Sequence, residues 1–549
     1  MSGNRAFYAA SDAYVFARYS SDDTAMRPVK ILLTTIAVVA SAALLVRVCI
    51  GPSRLAASPL NLESIAFLSF SLCCALLSFN RMRVGASPDK QIAVSNALCV
   101  AVICSVAVAA YLPAISNPLV FDDYTHLSGS RDGWAAMIAR SLIHHPQGGD
   151  FFFRPAGYIS YWIDYRWAGA DPVRWHLWNI LVHAANSMLV YLLCRQLAFG
   201  RIGSLISALV FALHASHPEV VAWMAARFDL LATFFSLAAL IALNQFIDSR
   251  KAAWFLLMAC ACVLAVLSKE AAFCLPVLAL CLILFRTKRP PAAIAKLAGI
   301  LAVLCGIVFL YREWFLGGIG GYRDAAGAPT ILNFSLLRTI KALFYREWAV
   351  LFFPLNWSVP PGLWLKLASG AFLLAAVFFL VRVKRVDPRL PACLALIFAA
   401  SLPVQHLLLI GQDLSGARVL YLPSIGLAMF WGLLAQSYED KTAAAALTAA
   451  LLLFQWTALA HNLEIWRGAA LLSRQTCAQA AEELRQDPRP IAVSDLPSTW
   501  NGVFFLRNGF PLCVAAASQR PEDADRIVST DSSARILVWD AATQKLLPK

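Results

Sequence analysis

The feature that most constrains this chain is a series of long apolar runs that recurs along nearly its whole length. Most runs have roughly 17 to 25 residues, enough for a helix to cross a hydrocarbon core about 30 Å thick. We place about thirteen spans, which predicts an all-α polytopic membrane protein. The spans are 30–50, 60–79, 94–113, 173–194, 202–215, 228–246, 252–267, 271–286, 294–312, 362–381, 390–410, 419–437 and 442–461.

Composition supports the same class. Only 14% of the 549 residues are charged and 60% are hydrophobic, whereas about a quarter of the residues in a soluble globular domain are charged. A soluble globule is therefore excluded. The first apolar run follows a polar leader, residues 1–29, and lacks a small-residue cleavage site. We interpret this run as a membrane anchor and not as a signal peptide that is removed.

The net charge of +14 raises the question of nucleic acid as a partner. Lysine and arginine gather in alternate short loops, which is the distribution that the positive-inside rule describes. These residues are Arg81, Arg83, Lys90, Arg195, Arg201, Arg250, Lys251, Arg286, Lys288, Arg289, Arg382, Lys384, Arg385 and Arg389. We therefore predict no nucleic-acid partner, a cytoplasmic N-terminus and a periplasmic or other extracytoplasmic C-terminus. A bacterial inner membrane is favoured over the endoplasmic reticulum.

Four stretches interrupt the short connections, and all four face outside in this topology. They are residues 114–172, the 313–361 loop, the turn 411–418 and the tail from about 465. Loops longer than about 12 to 15 residues are usually functional. We divide the chain into a leader with two additional spans (1–93), a transmembrane catalytic core (94–464) and a small extracytoplasmic domain (465–549).

Local patterns predict structure in two of these stretches. In residues 331–350, apolar residues recur at helical spacing with basic residues between them, which predicts a helix lying in the membrane interface. The tail has a helical pattern around 468–486 and strand patterns at 491–496, 503–509 and 535–539, which together predict a small α/β domain. Cys477 and Cys513 lie in this tail and can form a disulfide if the compartment is oxidising.

The loop after the third span carries two adjacent carboxylates, Asp122 and Asp123, immediately beyond the membrane. Neighbouring carboxylates beside an apolar surface can hold one pKa raised, which suits proton abstraction from a hydroxyl. The alternative is a structural role in an Asx turn or a helix cap. The pair is our candidate for the catalytic residues.

Further along the same loop, arginines and histidines stand among many aromatic residues. They are Arg154, Arg166, Arg174, His144, His145, His176 and His183. Arginine and histidine beside Trp and Tyr at a membrane edge suit a site for a phosphate and a sugar ring. The alternative is an aromatic belt with snorkelling arginines. No metal is predicted, because His176 and His183 lack a third ligand at the expected spacing.

Five ionisable residues of the next outer segment lie at the mouth between two spans, namely His214, His217, Glu219, Arg227 and Asp229. Ionisable groups at membrane depth are costly, and they usually mark a functional site. His217, Arg227 and Asp229 are therefore candidates for substrate binding. The alternative for Arg227 and Asp229 is a local cap on the sixth span.

Two later positions complete the candidate set. Lys269 and Glu270 interrupt an apolar hairpin, so Lys269 is a candidate phosphate contact, although a turn with a local ion pair fits the spacing equally well. Arg418 and Tyr421 stand at the outer entrance of the twelfth span. An arginine there can clamp a lipid phosphate, or it can act as a snorkelling anchor.

The motifs occur in an order that resembles a known family. In sequence they are FDDYTH, FFFRPAGY, DPVRWHLWNILVHAAN, HASHPEVVAWMAARFDLL, LSKEAAFCLP, GGIGGY, FFPLNW and ARVLYLPSIG. This order is similar to the membrane part of the transmembrane and tetratricopeptide-repeat O-mannosyltransferases and their bacterial relatives, within the GT-C superfamily. The resemblance covers roughly residues 94–467.

The resemblance implies a polyprenyl-phosphate-linked sugar as donor and a hydroxyl outside the cytoplasm as acceptor, on a protein, a glycan or a glycolipid. It also implies inversion at the anomeric carbon, no cofactor and no essential metal. Asp122 or Asp123 would be the base, and the phosphate side would be lined by Arg154, Arg227, Lys269 and Arg418. The remaining substrate-binding candidates are His217, Asp229, Glu270 and Tyr421. The sequence departs from the family in having two further spans before the core and no tetratricopeptide repeats, so the acceptor stays open.

The alternative from another class is a transporter or flippase of lipid-linked or small substrates, which also combines many spans with buried ions. That architecture favours paired broken helices in two related halves, and we find no such internal symmetry in the sequence. Ionisable residues also cluster at one membrane face. A membrane glycosyltransferase is therefore the preferred interpretation, with the sugar left open.

Overall fold

The computed structural model describes residues 88–143, 152–285, 291–323, 327–332, 335–382, 387–506, 508–528 and 534–549. The predicted leader, the first two predicted spans (30–50 and 60–79), His144, His145 and the basic cluster at 286–289 lie outside the described residues.

Most of the described chain is helical. The helices are α1 (Pro88–Tyr111), α2 (Asp123–Gly129), α3 (Trp134–Ile138), α4 (Pro155–Ala168), α5 (Pro172–Gln196), α6 (Arg201–Leu213), α7 (Pro218–Val221), α8 (Arg227–Ser249), α9 (Ala252–Ser268), α10 (Leu275–Cys281), α11 (Pro291–Leu316), α12 (Leu336–Lys341), α13 (Glu347–Phe352), α14 (Leu363–Arg382), α15 (Leu390–Ser401), α16 (Ser424–Ser437), α17 (Lys441–Gln486) and α18 (Phe510–Ser518). Short 3₁₀ or π turns extend several of them, such as Met224–Ala226 before α8 and Glu270–Cys274 before α10.

Within the described ranges, six helical segments are long and apolar enough to cross a membrane. They are Asn96–Ala114, Pro172–Gln196, Met224–Ser249, Pro291–Leu316, Leu390–Leu407 and Lys441–Gln486. Shorter apolar helices lie at the other predicted spans, namely Arg201–Leu213, Ala252–Ser268, Glu270–Phe285, Leu363–Phe379 and Ser424–Ser437. The chain is thus a helical integral membrane protein, and the total of about thirteen spans stays a prediction.

The helices pack closely where small residues face each other. On α6 and α16, a Cβ added to Gly432 would lie 2.3 Å from the carbonyl oxygen of Gly203 and 2.0 Å from Oγ of Ser207. At the end of the same contact, the Gly200 N–H donates to Oε1 of Gln436 at 2.7 Å. Small residues allow helix backbones to approach in this way inside a membrane, where the hydrophobic effect gives no driving force for helix association.

The connections sort into two ends of the helical bundle. At one end, Arg389 donates to the carbonyl of Leu197 at 3.2 Å, so two of the predicted basic loops lie together. At the other end, Asn508 of the tail donates to Asp122 at 3.1 Å. The tail and the loop that follows the third predicted span therefore share one face, opposite the basic loops. The compartment that this face meets stays a prediction.

The last long helix, α17, is continuous over 46 residues. It begins where Asp440 accepts hydrogen bonds from the N–H groups of Thr442 and Ala443, which is typical of an N-cap. A helix of this length extends about 69 Å, more than twice the hydrocarbon core. The predicted division at 464 and 465 falls in its middle, and the helix predicted at 468–486 is its second half.

The residues after α17, 487–549, are called the C-terminal unit below. They contain the strands β1 (Ile491–Ser494), β2 (Thr499–Trp500), β3 (Val503–Phe504), β4 (Ile527–Val528), β5 (Arg535–Asp540) and β6 (Lys545–Pro548). The main sheet has the order β4-β1-β5-β6, with β1 parallel to β4 and β5 and β6 antiparallel to β5. The tail is thus a small α/β unit.

One predicted strand of this unit, 503–509, is wrong beyond Phe504. Asn501 and Gly502 have φ values of 47° and 84°, which turns the chain back so that β3 pairs with β2. An Asn-Gly pair in the left-handed region is the usual signal for a tight hairpin. Beyond β3, Phe505 and Leu506 are buried in the hydrophobic core of the unit instead of continuing a sheet.

Cys477 of α17 and Cys513 of α18 form a disulfide with their Cα atoms 5.8 Å apart. This bond attaches the C-terminal unit to the second half of the long helix. Around it, Leu472, Ala480 and Val514 are buried in the same hydrophobic cluster. The unit is therefore fixed to α17 by a covalent bond as well as by packing.

Residues 336–352 are helical through α12, a π turn and α13. The apolar side chains Leu336, Leu337 and Ile340 are 64%, 77% and 46% exposed, whereas Leu343 is buried. Exposed leucines along one helix face agree with the predicted amphipathic helix from 336 onwards. Its position in the membrane interface stays a prediction.

The assignment of the two faces can be tested with two matched variants, Ala516→Cys in α18 and Ala252→Cys at the start of α9. Both alanines are exposed, and they lie at opposite ends of the bundle. We expect an impermeant maleimide to label position 516 in intact cells and position 252 only after the cells are opened. Both variants also carry Cys260→Ser, because Cys260 is an exposed native thiol. Labelling of position 252, and not of position 516, in intact cells would show that the protein has the opposite orientation.

Candidate active site

The two adjacent aspartates differ sharply in their surroundings. Asp123, the first residue of α2, is fully buried, and its two carboxyl oxygens accept the N–H groups of Val120 at 2.9 Å and of Ala225 at 2.8 Å. Burial raises the pKa of Asp123 to about 8, although both hydrogen bonds favour the ionised form. A carboxyl group that is enclosed and engaged at both oxygens cannot reach a substrate. Asp123 therefore fastens the 120–123 turn to the start of α8.

Asp122 precedes it and is only partly buried. One of its oxygens accepts the side-chain amide of Asn508 at 3.1 Å. Burial raises the pKa of Asp122 above its ordinary value, while Asn508 and the positive charges of Arg418 and Arg154 oppose that rise. A carboxylate that meets solvent, lies near two arginines and has a raised pKa is suited to accept a proton. Asp122 is therefore the candidate base of the pair.

Arg154 lies at the start of α4, and its guanidinium contacts Glu270. Its Nη2 donates to Oε2 of Glu270 at 2.8 Å, and its Nε donates to the same oxygen at 3.1 Å. The guanidinium also stands 4.2 Å from the ring centroid of Phe152. Arg312 of α11 approaches the other oxygen of Glu270 at 4.0 Å. Glu270 thus holds two arginines that come from distant parts of the chain.

Arg418 forms an ion pair with Glu219, the buried acid of α7, and its backbone N–H donates to the other oxygen of that carboxylate at 3.1 Å. Its Nη2 also donates to the hydroxyl of Tyr322 at 3.1 Å. Arg418, and to a lesser degree Arg154 and Lys269, holds the pKa of the Tyr322 phenol below its ordinary value. Tyr322 therefore marks the place where these three cations come within electrostatic range of each other.

A local cap formed by Arg227 and Asp229 is the alternative to substrate binding in the sequence, and in the structure these two residues have different partners. Asp229 forms an ion pair with Lys269, which lies 40 residues further along the chain. Arg227 forms a buried ion pair with Asp164 of α4. Its other two nitrogens donate to Asn179 at 2.8 Å and to the carbonyl of Trp175 at 3.2 Å. Because all three nitrogens are bound by protein groups, Arg227 braces α8 against α4 and α5.

His217 and Tyr421 lie behind this charged cluster and are fully buried. Their rings are 4.6 Å apart. The Tyr421 hydroxyl contacts Nδ1 of His183 at 2.7 Å, and Nε2 of His217 contacts the hydroxyl of Ser424 at 3.0 Å. These contacts connect α5, the residue before α7 and the segment where α16 begins. In the structure the two candidates are thus part of the packing beneath the site.

The structure therefore brings together Asp122, Arg154, Lys269, Glu270, Asp229 and Arg418 at one end of the bundle. Each of the three cations has a carboxylate partner, and Asp122 is the acid beside them that has no cation in an ion-pair contact among the described residues. A cavity of about 370 Å³ opens beside Tyr322 and is lined by Arg338, Thr339, Gln405 and His406. Within the described ranges, no group of three or more His, Cys, Asp or Glu side chains is placed to hold a metal ion.

Tyr322, His126 and Asn508 lie in this region and are not among the sequence candidates. Tyr322 ends the GGIGGY motif, which belongs to the family resemblance but does not by itself indicate a role for the tyrosine. His126 stacks on Tyr161 at 4.8 Å, and burial with the nearby charges of Arg154 and Arg227 lowers its pKa to about 3, so it is a neutral ring. Asn508 lies 386 residues after Asp122, and no local pattern links the two.

Part of this chain is similar to known proteins. Residues 164–312 match the dolichyl-phosphate-mannose-protein mannosyltransferase family. The chain is 30% identical over 157 residues to the protein O-mannosyl-transferase F38B6.6 of Caenorhabditis elegans, and 31% identical over 173 residues to the protein O-mannosyl-transferase TMTC4 of Homo sapiens. The resemblance to protein O-mannosyltransferases is confirmed.

The similarity to these O-mannosyltransferases is partial. The alignments cover 26% and 27% of this chain, and only 22% of the nematode protein and 23% of the human protein. The matched segment 164–312 contains Arg227, Asp229 and Lys269, whereas Asp122 and Arg418 lie outside it. Among solved structures, the archaeal oligosaccharyltransferase AglB from Archaeoglobus fulgidus, in complex with an inhibitory peptide and a dolichol-phosphate, covers 79% of this chain and 64% of its own, with 12% identity and a TM-score of 0.42.

Proposed function

We propose that this chain is a glycosyltransferase that moves a sugar from a polyprenyl-phosphate-linked donor to an acceptor hydroxyl on the extracytoplasmic face of the membrane. The observation that carries the proposal is the partly exposed carboxylate of Asp122 beside the cations Arg154 and Arg418. The similarity to protein O-mannosyltransferases supports mannose as the sugar and a protein as the acceptor. A cell-envelope glycan or glycolipid remains the second acceptor class.

The proposed reaction is an inverting displacement. The acceptor oxygen attacks the anomeric carbon from the side opposite the lipid phosphate, and its proton passes to the Asp122 carboxylate. The bond between the anomeric carbon and the phosphate oxygen breaks, and its electron pair stays on the departing polyprenyl phosphate. Arg154, Lys269 and Arg418 stabilise that phosphate by charge-assisted hydrogen bonds, which are among the strongest a protein offers. No cofactor takes part in this scheme.

The 313–361 loop has a role in this proposal through Tyr322. The Tyr322 hydroxyl accepts a hydrogen bond from Arg418, and its ring lies 5.1 Å from the Phe152 ring, beside Arg154. The loop therefore reaches across the cation cluster. Exclusion of water from this place limits hydrolysis of the donor while the acceptor binds.

The direct test uses the full-length protein reconstituted in vesicles with mannosyl-phosphoryl-polyprenol that is labelled in the sugar. We expect the label to move from the lipid fraction into an acceptor, and protease digestion then distinguishes a protein product from a glycan or lipid product. Transbilayer redistribution of the intact donor without sugar release would instead indicate a flippase. Absence of both transfer and release with the purified protein contradicts the proposed reaction.

Arg418 provides a sharper test of the phosphate side. Arg418→Ala is expected to weaken donor binding by about 1.5 to 3 kcal/mol, because a charged hydrogen bond is lost. Arg418→Lys is expected to keep part of the affinity, since lysine offers a point charge and not a planar fork. Binding of the labelled donor to folded, detergent-purified variants is the measurement. Arg174→Ala is the matched control, because Arg174 is half exposed on the same face and pairs with Asp171.

The ion pair with Glu219 requires a second variant. Arg418→Ala leaves the buried Glu219 without its cation, which destabilises the protein by itself. Adding Glu219→Gln removes the uncompensated charge. If the double variant recovers the stability of the wild type and also its full donor affinity, Arg418 is a structural residue and does not contact the donor.

A further inference from the structure

The C-terminal unit meets the candidate base directly. The side-chain amide of Asn508 donates to Oδ1 of Asp122 at 3.1 Å, and this contact joins residues that are 386 positions apart. Asn508 immediately precedes Gly509 and α18, whose residues Phe510 and Cys513 are buried in one hydrophobic cluster with Tyr124 of α2. The amide is therefore presented to Asp122 from a packed element.

The same element packs closely against the backbone of the 120–123 turn, which carries both aspartates. A Cβ added to Gly509 would lie 2.0 Å from the carbonyl oxygen of Phe121, so only glycine fits at this approach. Phe121 itself has a φ of 47°, a left-handed conformation that is unfavourable for a residue with a bulky side chain. Such a conformation persists only where the surroundings enforce it. Here Gly509 contacts the turn on one side. On the other side, the Asp123 carboxylate accepts hydrogen bonds from the backbone N–H groups of Val120 and Ala225.

A third contact reaches the phosphate side. Phe504 of β3 stacks on the Phe121 ring at a centroid distance of 5.2 Å, and the guanidinium of Arg418 lies 5.1 Å from the Phe504 ring centroid. The C-terminal unit thus contacts the 120–123 turn through Asn508, Gly509 and Phe504, and Phe504 also contacts the candidate phosphate arginine. The disulfide between Cys477 and Cys513 holds α18, which follows directly on Asn508 and Gly509, in place.

We propose that the C-terminal unit is a structural part of the active site, and that Asn508 is a positioning residue which orients the Asp122 carboxylate toward the acceptor hydroxyl. This inference rests on the proposed function, because it takes Asp122 as the base. It assigns the unit a role in the reaction itself. The unit is therefore more than a separate domain that only recruits the acceptor.

The physical effect of Asn508 follows from the direction of its hydrogen bond. The amide N–H donates to the ionised carboxylate, so it stabilises the form that can accept a proton. The charged groups that act on Asp122 are the cations Arg154 and Arg418, and Asp123 is the titratable group beside it. Loss of the amide therefore raises the pKa of Asp122, and it also frees the carboxylate to rotate.

The test compares Asn508→Ala and the isosteric Asn508→Asp with the wild type. A carbodiimide reacts with the protonated carboxyl group, so its reaction at Asp122, read by peptide mass spectrometry against pH, titrates that residue without any need for activity. We expect the midpoint to move to higher pH by about one unit in Asn508→Ala. It moves further in Asn508→Asp, where a like charge replaces the donor. The rate of sugar transfer should fall about tenfold in Asn508→Ala, as expected for one lost hydrogen bond to a charged group.

Gln486→Ala is the matched control, because Gln486 is an exposed amide at the end of α17 whose side chain donates a hydrogen bond to Glu482. An intact disulfide in non-reducing mass spectrometry shows that the C-terminal unit is folded in each variant. Equal carbodiimide midpoints in the wild type, Asn508→Ala and Asn508→Asp overturn the inference. If the midpoint shifts in the variants but the wild type itself transfers no sugar, the contact between Asn508 and Asp122 is supported and the proposed reaction is contradicted. The two failures are therefore distinguishable.

Discussion

Replacing Asp122 by asparagine is expected to reduce sugar transfer by about 10² to 10⁴-fold, the usual contribution of a positioned acid or base. The amide cannot accept the proton of the acceptor hydroxyl, whereas its size and its place beside Asn508 are unchanged. Folding should therefore be preserved, because the Asp122 side chain is partly exposed and, among the described residues, accepts a hydrogen bond from Asn508 alone. The measurement is the initial rate of label transfer by purified variants of matched thermal stability.

Asp123→Asn is the matched control for this experiment, since it makes the same chemical change one residue away. A buried carboxamide has one acceptor oxygen and would turn its own N–H groups toward a backbone N–H of Val120 or Ala225. We expect a loss of stability of about 1 to 3 kcal/mol, which is the range for a buried polar group left unsatisfied. If Asp122→Asn keeps near-normal turnover while a stable Asp123→Asn protein is inactive, the two roles are reversed.

The pH profile gives an independent check on the base. Asp122 must be ionised to accept a proton, and burial raises its pKa above the ordinary value. The transfer rate should therefore fall as the pH is lowered through this raised pKa, at a higher pH than about 3.9, the value for an unperturbed aspartate. A rate that stays constant down to that pH would show that Asp122 does not titrate in the active enzyme.

Replacing Arg227 by alanine is expected to destabilise the protein by about 3 to 5 kcal/mol, because it leaves Asp164 as an uncompensated buried charge. Both side chains are less than 5% exposed, so solvent does little to compensate the lost partner. Thermal unfolding in detergent or titration with SDS measures the effect. Arg174→Ala should change stability by less than about 1 kcal/mol, since its pair with Asp171 is half exposed.

The same variant separates two interpretations of Arg227. The sequence placed this arginine on the phosphate side, whereas in the structure its nitrogens bind Asp164, Asn179 and Trp175. The double change Arg227→Leu with Asp164→Leu removes both charges and should restore much of the stability. Normal donor binding by that double variant supports a bracing role. A stable double variant that binds the donor more weakly than the wild type would instead show that Arg227 contacts the donor phosphate.

The positions of the helices were largely predictable because a membrane span is defined by the length of an apolar run. The run at 173–194 became Pro172–Gln196, and the run at 228–246 became Arg227–Ser249. The sequence failed where one helix changes its environment along its length. Residues 442–461 are apolar and 468–486 are polar, so they were interpreted as two elements, yet hydrogen bonding continues through both in α17.

The candidate site was predictable as a set of residue types at one face, but not as a set of pairs. Asp229 is two residues from Arg227, which makes a local cap the structural alternative for both residues. Nothing in the spacing indicates that Asp229 pairs with Lys269, which lies 40 residues away. Asp122 and Asp123 likewise form one motif in the sequence. Only the tertiary contacts from Ala225 and Asn508 distinguish an enclosed acid from an accessible one.

The continuity of α17 limits how this protein can change in length. Each residue of an α-helix advances the chain by about 1.5 Å and rotates it by about 100°. One residue inserted in α17 between the membrane and Cys477 would therefore turn the C-terminal unit by more than a quarter of a revolution and carry Asn508 away from Asp122. A flexible linker absorbs such insertions at little expense in free energy, whereas a rigid helix transmits them undiminished. The segment thus fixes both the distance and the rotation between the membrane and the C-terminal unit. The geometry of the candidate site therefore depends on how many residues α17 contains as much as on which residues they are.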